Sequence, residues 1–330
     1  MSALIFIILM TAVSQVYSDT QIFRCQSTQY CKCLGFTSGV EDILCSQDGD
    51  LQNPIFLMDV RFKDFVKIQC QSITESSSYK LLPNLAIGDL QYVMFKMCPL
   101  PQDDSLLDII KSIGITKFKR LSFQTYNRNL SNELVRKHLA GLTDVNEIVL
   151  SSNGLTNLPA DLFSDLKNLT SLDLRSNNVK LSQGVFDGMS KLKYLELGNN
   201  DIYDLPDGVF KNLFELTQLN LWKNSLTQIS NNAFEGLSNL KALDLSSNKL
   251  QILDESIFHS LPNLTVLYIT SNNLSLYYLF ANLKYLSNVS LDRCQLTSLP
   301  DNLFKNSSNL TNIDMSYNGL SSFTEQFFQV

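Results

Sequence analysis

Apolar positions recur in one fixed order along most of the chain. The segment VNEIVLSSNGL (145–155) reads LxxLxLxxNxL, and so do LTSLDLRSNNV (169–179), LKYLELGNNDI (192–202), LTQLNLWKNSL (216–226), LKALDLSSNKL (240–250), LTVLYITSNNL (264–274), LSNVSLDRCQL (286–296) and LTNIDMSYNGL (310–320). The ninth positions are Asn153, Asn177, Asn200, Asn224, Asn248, Asn272, Cys294 and Asn318, at spacings of 24, 23, 24, 24, 24, 22 and 24 residues. Within each unit the short LxL alternation predicts a strand with its first, fourth and sixth apolar residues facing inward. A later phenylalanine (Phe163, Phe186, Phe210, Phe234, Phe258, Phe280, Phe304) follows the ninth position by ten residues in the regular units. It follows by nine after Asn177 and by eight after Asn272, so the two short units lose residues in the return segment and keep the strand. One unit cannot bury its own apolar face, and the stack of units must be the core.

Eight matches at this period define leucine-rich repeats. The predicted fold is therefore an α/β leucine-rich repeat solenoid, a horseshoe with a parallel sheet on its concave face. Where the chain leaves each strand, the ninth-position Asn is placed to satisfy backbone groups that no ladder reaches. Stacked units would then form an internal row from Asn153 to Asn318, with Cys294 as the one substitution. Fainter units precede the block. Leu121 and Phe123 mark a strand within 118–126, LQYVMFKMCPL (90–100) carries Cys98 at its ninth position, and FVKIQC (65–70) alternates like a first strand. Cys70 and Cys98 then fall on neighbouring rungs roughly 5 Å apart, which predicts a disulfide. The expected organisation is a signal peptide over 1–18, a cysteine-rich N-terminal cap with the first strand over 19–89, and repeats over 90–330. The repeats end at FTEQFFQV, midway through a unit and without a second cysteine cluster, which reads as a truncation.

Composition sets the compartment. The run from Leu4 to Val13 is apolar and too short to span a bilayer, with Ser18 at a cleavage-like site. No later stretch is long and apolar enough to anchor this chain. The formal net charge is −6, without the clustered Lys and Arg that nucleic-acid binding requires. Seven Asn-X-Ser/Thr sequons, at Asn129, Asn168, Asn263, Asn273, Asn288, Asn306 and Asn309, fit a secreted glycoprotein. Cys25, Cys31, Cys33 and Cys45 form C-x5-C-x-C-x11-C with no histidine nearby, so disulfides are favoured over zinc. The two histidines, His138 and His259, lie in return segments, and no nucleophile, phosphate or metalloprotease motif occurs. The chain reads as a binding protein and not an enzyme, with no cofactor and no metal.

The concave strand positions carry the candidate ligand contacts: Asp173, Arg175, Tyr194, Glu196, Asn220, Trp222, Asp244 and Tyr268. Trp222 is the sole tryptophan, and aromatic anchors ringed by polar groups are favoured in protein interfaces. Asn288 projects from a concave strand, so a glycan there would move binding toward earlier repeats.

Two resemblances add to this reading. The early cysteine spacing resembles the N-terminal flank of secreted leucine-rich repeat proteins, whose interleaved pairing implies Cys25–Cys33 and Cys31–Cys45. The residues NPIF (53–56), KDFVKIQC (63–70), YKLLPNLAIGDLQYVMFKMCPLP (79–101) and LNLWKNSL (219–226) resemble the ectodomain of insect Toll receptors. That resemblance implies an extracellular receptor for a Spätzle-like cystine-knot cytokine dimer, bound at the N-terminal part of the solenoid. It also implies receptor pairing and signalling through a cytoplasmic TIR domain in immunity or development. This chain does not carry the remaining repeats, C-terminal cap, membrane helix or TIR domain of that pattern. The competing expectation is an independent secreted leucine-rich repeat protein, a soluble decoy or an adhesive matrix-binding module.

Overall fold

A computed structural model describes residues 27–37, 40–49, 52–71, 74–126, 130, 133–254, 256–275, 280, 283–301, 303–322, 324 and 327. The expected signal peptide, Cys25 and the Asn129 sequon lie outside the described residues.

The strands are β1 (Cys31–Thr37), β2 (Val40–Cys45), β3 (Phe56–Arg61), β4 (Phe65–Cys70), β5 (Gly88–Asp89), β6 (Tyr92–Lys96), β7 (Ile115–Lys117) and β8 (Arg120–Gln124). The repeats add β9 (Glu147–Val149), β10 (Ser171–Asp173), β11 (Tyr194–Glu196), β12 (Gln218–Asn220), β13 (Ala242–Asp244), β14 (Val266–Tyr268), β15 (Asn288–Ser290) and β16 (Asn312–Asp314). Fourteen of these form one sheet in chain order, while β5 pairs with β7 separately. The cap strands β1 to β4 are antiparallel, and from β4 onward every pairing in this sheet is parallel. The fold is the leucine-rich repeat solenoid that the periodicity predicts. The cap strands extend the repeat sheet at its N-terminal end.

The inward residues do as their spacing requires. Ile148, Leu172, Leu195, Leu219, Leu243, Leu267 and Val289 are buried at the centre of successive strands. Behind them the return-segment phenylalanines form a spine, with centroids 6.0 Å apart for Phe186–Phe210 and 5.3 Å for Phe280–Phe304. In the regular repeats this back is built of turns. Among the described residues the α-helices lie in the irregular early units, as α1 (Leu106–Ser112) and the short α2 (Arg136–Leu139), and a 3-10 helix spans Ser76–Leu81. The Ser105–Asp108 capping box starts α1, a local signal that the repeat pattern does not carry.

The ninth-position asparagines form a buried polar ladder. Asn224 shows its logic: Nδ2 donates to Leu197 O at 3.0 Å and to Leu221 O at 2.9 Å, while Oδ1 accepts from Ile202 N at 3.1 Å. The same donations recur at Asn153, Asn177, Asn200, Asn248, Asn272 and Asn318. Cys294 keeps a weak version, Sγ donating to Ile269 O at 3.3 Å. It has no side-chain oxygen for the preceding rung, and Leu274 N bonds the Cys294 carbonyl instead, at 3.1 Å.

The residue before each ninth position is left-handed: Ser152, Ser176, Asn199, Lys223, Ser247, Ser271, Arg293 and Tyr317 have φ from 53° to 61°. Such a conformation costs an L-residue roughly 1–2 kcal/mol. It is held because the backbone N–H continues the ladder beyond the strand, as in Lys223 N to Ser246 O at 2.8 Å.

A second set of staples runs along the flank before the strands. Asn168, Asn239 and Asn263 donate Nδ2 to the preceding repeat at Thr143 O (2.9 Å), Phe214 O (2.7 Å) and Ser238 O (2.8 Å). Thr170 and Thr265 add Oγ1 bonds to Asn146 O and Lys241 O. Asparagine in this slot therefore has a packing role, sequon or not.

Disulfides join Cys31 to Cys45 and Cys70 to Cys98, with Cα separations of 4.1 and 4.8 Å. Cys33 is disulfide-bonded, and its expected pairing with Cys25 falls outside the described residues. Cys294 is a free, buried thiol.

Candidate ligand-binding face

The eight candidate residues lie on β10 to β14 or just beyond their ends, on the concave side. Parallel register places Asp173, Glu196, Asn220, Asp244 and Tyr268 in one row, each opposite the next. Ser171, Tyr194, Gln218, Ala242 and Val266 form the row before it. Two residues further on, outside the strands, come Arg175, Gly198, Trp222, Ser246 and Thr270.

The row is not uniform in what it leaves available. Asp173 is only 7% exposed. Its Oδ1 accepts from the Arg175 backbone N–H at 2.9 Å and from Arg175 Nε at 3.1 Å, and Oδ2 takes the guanidinium at 2.8 Å. Asn220 Oδ1 accepts from Trp222 N at 2.8 Å, and Asp244 Oδ1 from Ser246 N at 2.9 Å. This is a repeated local turn in which a short Asx side chain binds the backbone two residues on. Asp173, Asn220 and Asp244 thus shape the exit from their strands. Glu196 is longer and stands apart: its Oε2 is buried and accepts no hydrogen bond, with Arg175 Nε 3.9 Å away.

Electrostatics follow from that packing. Burial pushes the Glu196 carboxyl above its ordinary range, with Asp173 and Asp244 adding to the effect and Arg175 and Asn220 opposing it. The hydrogen bond to Asp173 holds the Arg175 guanidinium more firmly protonated than usual.

The aromatics remain open, with Tyr194, Trp222 and Tyr268 at 43%, 40% and 45% exposure. They are spread across the face, and among the described residues no ring contact joins them to one another. Lys223 Nζ lies over the Trp222 ring at 5.5 Å. Trp222 leans instead on Gly198: a Cβ at Gly198 would meet its Cε3 at 3.5 Å.

Sequence spacing alone missed a second polar cluster on earlier strands. Arg120 stacks over Tyr92 at 4.9 Å and pairs with Glu147 at 3.2 Å, and Lys96 lies over Tyr126 at 5.8 Å. The unit over 90–100 carries Tyr92 and Lys96, but the irregular unit carrying Arg120 lacks the full repeat pattern and so hid their neighbour. Among the described residues no three His, Cys, Asp or Glu side chains converge as metal ligands, and no helix is long and apolar enough to cross a membrane.

Comparison with known proteins agrees with the architecture. The leucine rich repeat family profile matches residues 127–179, 143–202, 179–221 and 214–274. Protein toll of Drosophila melanogaster is 30% identical over 173 residues, 52% of this chain and 15% of that protein. The solved Toll–Spatzle complex of Drosophila, in its glycosylated form, aligns at 25% identity with a TM-score of 0.73, covering 92% of this chain. The chain is a leucine-rich repeat solenoid similar to the Toll ectodomain. It spans 47% of the matched chain in that complex. Keratocan of Gallus gallus is 31% identical over 100 residues, 29% of this chain and 28% of that protein.

Proposed function

We propose that this chain is the extracellular, ligand-binding part of a Toll-type receptor, binding a Spätzle-like cystine-knot cytokine dimer through its concave face. The observation that carries this reading is the alignment with the Toll–Spatzle complex over 92% of the chain. A likeness confined to the repeats would suit many solenoids; the keratocan match, over 29% of the chain, is of that limited extent. The open aromatics of β11 to β14 supply anchors of the kind that dominate protein interfaces. Two disulfides fit an oxidising, extracellular setting. The role is binding, without catalysis, and pairing of two receptors would follow from a dimeric ligand.

The test is capture of a processed Spätzle-type dimer by the secreted chain, read by biolayer interferometry. Wild-type chain is expected to bind, and the double substitution Trp222→Ala with Tyr194→Ala to weaken binding at least tenfold. Absence of binding would overturn the ligand reading. Unchanged affinity in the double variant would move the contact away from β11 and β12, toward the Tyr92–Arg120 cluster.

A further inference from the structure

One part of the concave face combines an open indole, a missing side chain and unbalanced charge. In the row beyond the strand ends, Gly198 stands between Arg175 and Trp222, and it is the only rung from 175 to 316 in that row without a side chain. The indole of Trp222 settles into that gap, and Asn220 Oδ1 lies 3.2 Å from where a Gly198 Cβ would be. Glu196 precedes Gly198 by two residues, so its carboxylate and the indole share one stretch of sheet.

Charge is not neutralised there. Three carboxylates, Asp173, Glu196 and Asp244, face one guanidinium from their own rungs. Arg175 is already engaged by Asp173 through Nε and one terminal nitrogen, and it reaches Glu196 only at 3.9 Å. Lys223 Nζ lies over the Trp222 ring, and among the described residues it forms no ion pair with Glu196. Elsewhere on the face each arginine has its acid: Arg120 with Glu147, and Arg293 with Asp292. An acid left half-buried without a matched cation is costly until something supplies one.

We propose that this patch is a docking subsite for a protein segment presenting an arginine or lysine, its cation received by Glu196 and its aliphatic stem lying against Trp222. The occupant follows from charge complementarity and from the preference of guanidinium and ammonium groups for indole faces. The stem covers apolar ring surface while the head stays at the carboxylate. This rests on the reading of the concave face as ligand-binding and adds the ligand chemistry it selects. Asp173 and Asp244 raise the local negative potential, while the two guanidinium bonds to Asp173 hold Arg175 back from Glu196.

Trp222 is the chain's only tryptophan, so its fluorescence reports on this patch directly. The secreted chain would be titrated with N-acetyl-arginine methylamide and, in parallel, with the uncharged citrulline analogue. A saturable change with a dissociation constant on the order of millimolar is expected for arginine alone. Glu196→Gln should abolish the change, and Glu215→Gln on the exposed flank should leave it intact. An equal response to citrulline, an unchanged response in Glu196→Gln, or no saturable response in wild type would each overturn the subsite. The readout needs no cytokine, so failure to bind a Spätzle-type dimer would reject the receptor reading and leave this result to stand alone. Where the dimer does bind, Glu196→Gln should weaken it at least tenfold and flatten its salt dependence.

Discussion

Cys294 shows how much a single address determines. Its thiol is fully buried, and burial pushes its pKa up to about 11, so almost none is thiolate at neutral pH. Labelling by a bulky thiol reagent should be negligible in the folded protein and reach one equivalent once denatured. Fast labelling of the native chain would contradict the buried placement. Cys294→Asn would restore the ladder's missing acceptor and donors, and a stability gain of about 1 kcal/mol is expected, read as a raised denaturation midpoint at unchanged slope. His138 offers a contrasting case. Its Nδ1 accepts from Val135 N at 3.1 Å and its Nε2 meets Pro101 O at 3.2 Å, a geometry that suits the neutral ring protonated on Nε2. Burial and then Lys137 hold its pKa below the ordinary value, against the backbone bonds to Pro101 and Val135. Arg136, paired with Asp165, adds further positive charge nearby, and Asp103 and Asp104 lie on the facing segment. A depressed folded pKa gives stability that is present above the unfolded value of about 6.5 and lost as pH falls below it. Melting between pH 7.5 and 5 should therefore show a drop that His138→Gln reduces. An identical pH slope in the variant would remove His138 from the account.

At the level of the repeat, the strand and its exit turn are the legible parts. The ninth-position asparagines announced the ladder because their spacing is fixed by the backbone groups they serve. Replacing Asn224 by Ala would leave buried Ile202 N without its acceptor and remove one of the two amide donors serving each of Leu197 O and Leu221 O, which Asn200 and Asn248 still reach. A loss of about 2 kcal/mol is expected, measurable by urea unfolding. Asn318→Ala should cost less, since Asn318 is only half-buried on the last strand's exit. The chain's side-chain orientations on the concave face were less legible. That Trp222 would lie over Gly198 depends on a neighbour lacking a Cβ, a relation between repeats that no single repeat displays. The turn-forming use of Asp173, Asn220 and Asp244 was likewise hidden, because an acid in a strand row looks the same whether it faces a ligand or its own backbone. The helix α1 arises in a unit where the period itself is blurred, and only its capping box marks it.

Across the whole molecule, one sheet carries the cap into the repeats. The Cys70–Cys98 bridge lies where pairing changes from antiparallel to parallel, closing a 28-residue separation between β4 and β6. Cys70→Ala with Cys98→Ala should cost about 3–4 kcal/mol by the loop-entropy account. Neighbour-coupled stacks lose stability first at the altered interface, so amide exchange should quicken in β3, β4 and β6 well before β12. Uniform acceleration along the sheet would argue against such local coupling. The two short repeats have a quieter consequence. After Asn272 the return segment is two residues shorter, yet Val266 still pairs with Asn288 and Tyr268 with Ser290. Length is taken up behind the sheet, while each strand advances the front by one spacing of about 4.8 Å. Distances between concave-face residues are thereby counted in rungs and not in residues. The back of the molecule can be trimmed or extended while the pattern offered to a partner keeps its scale.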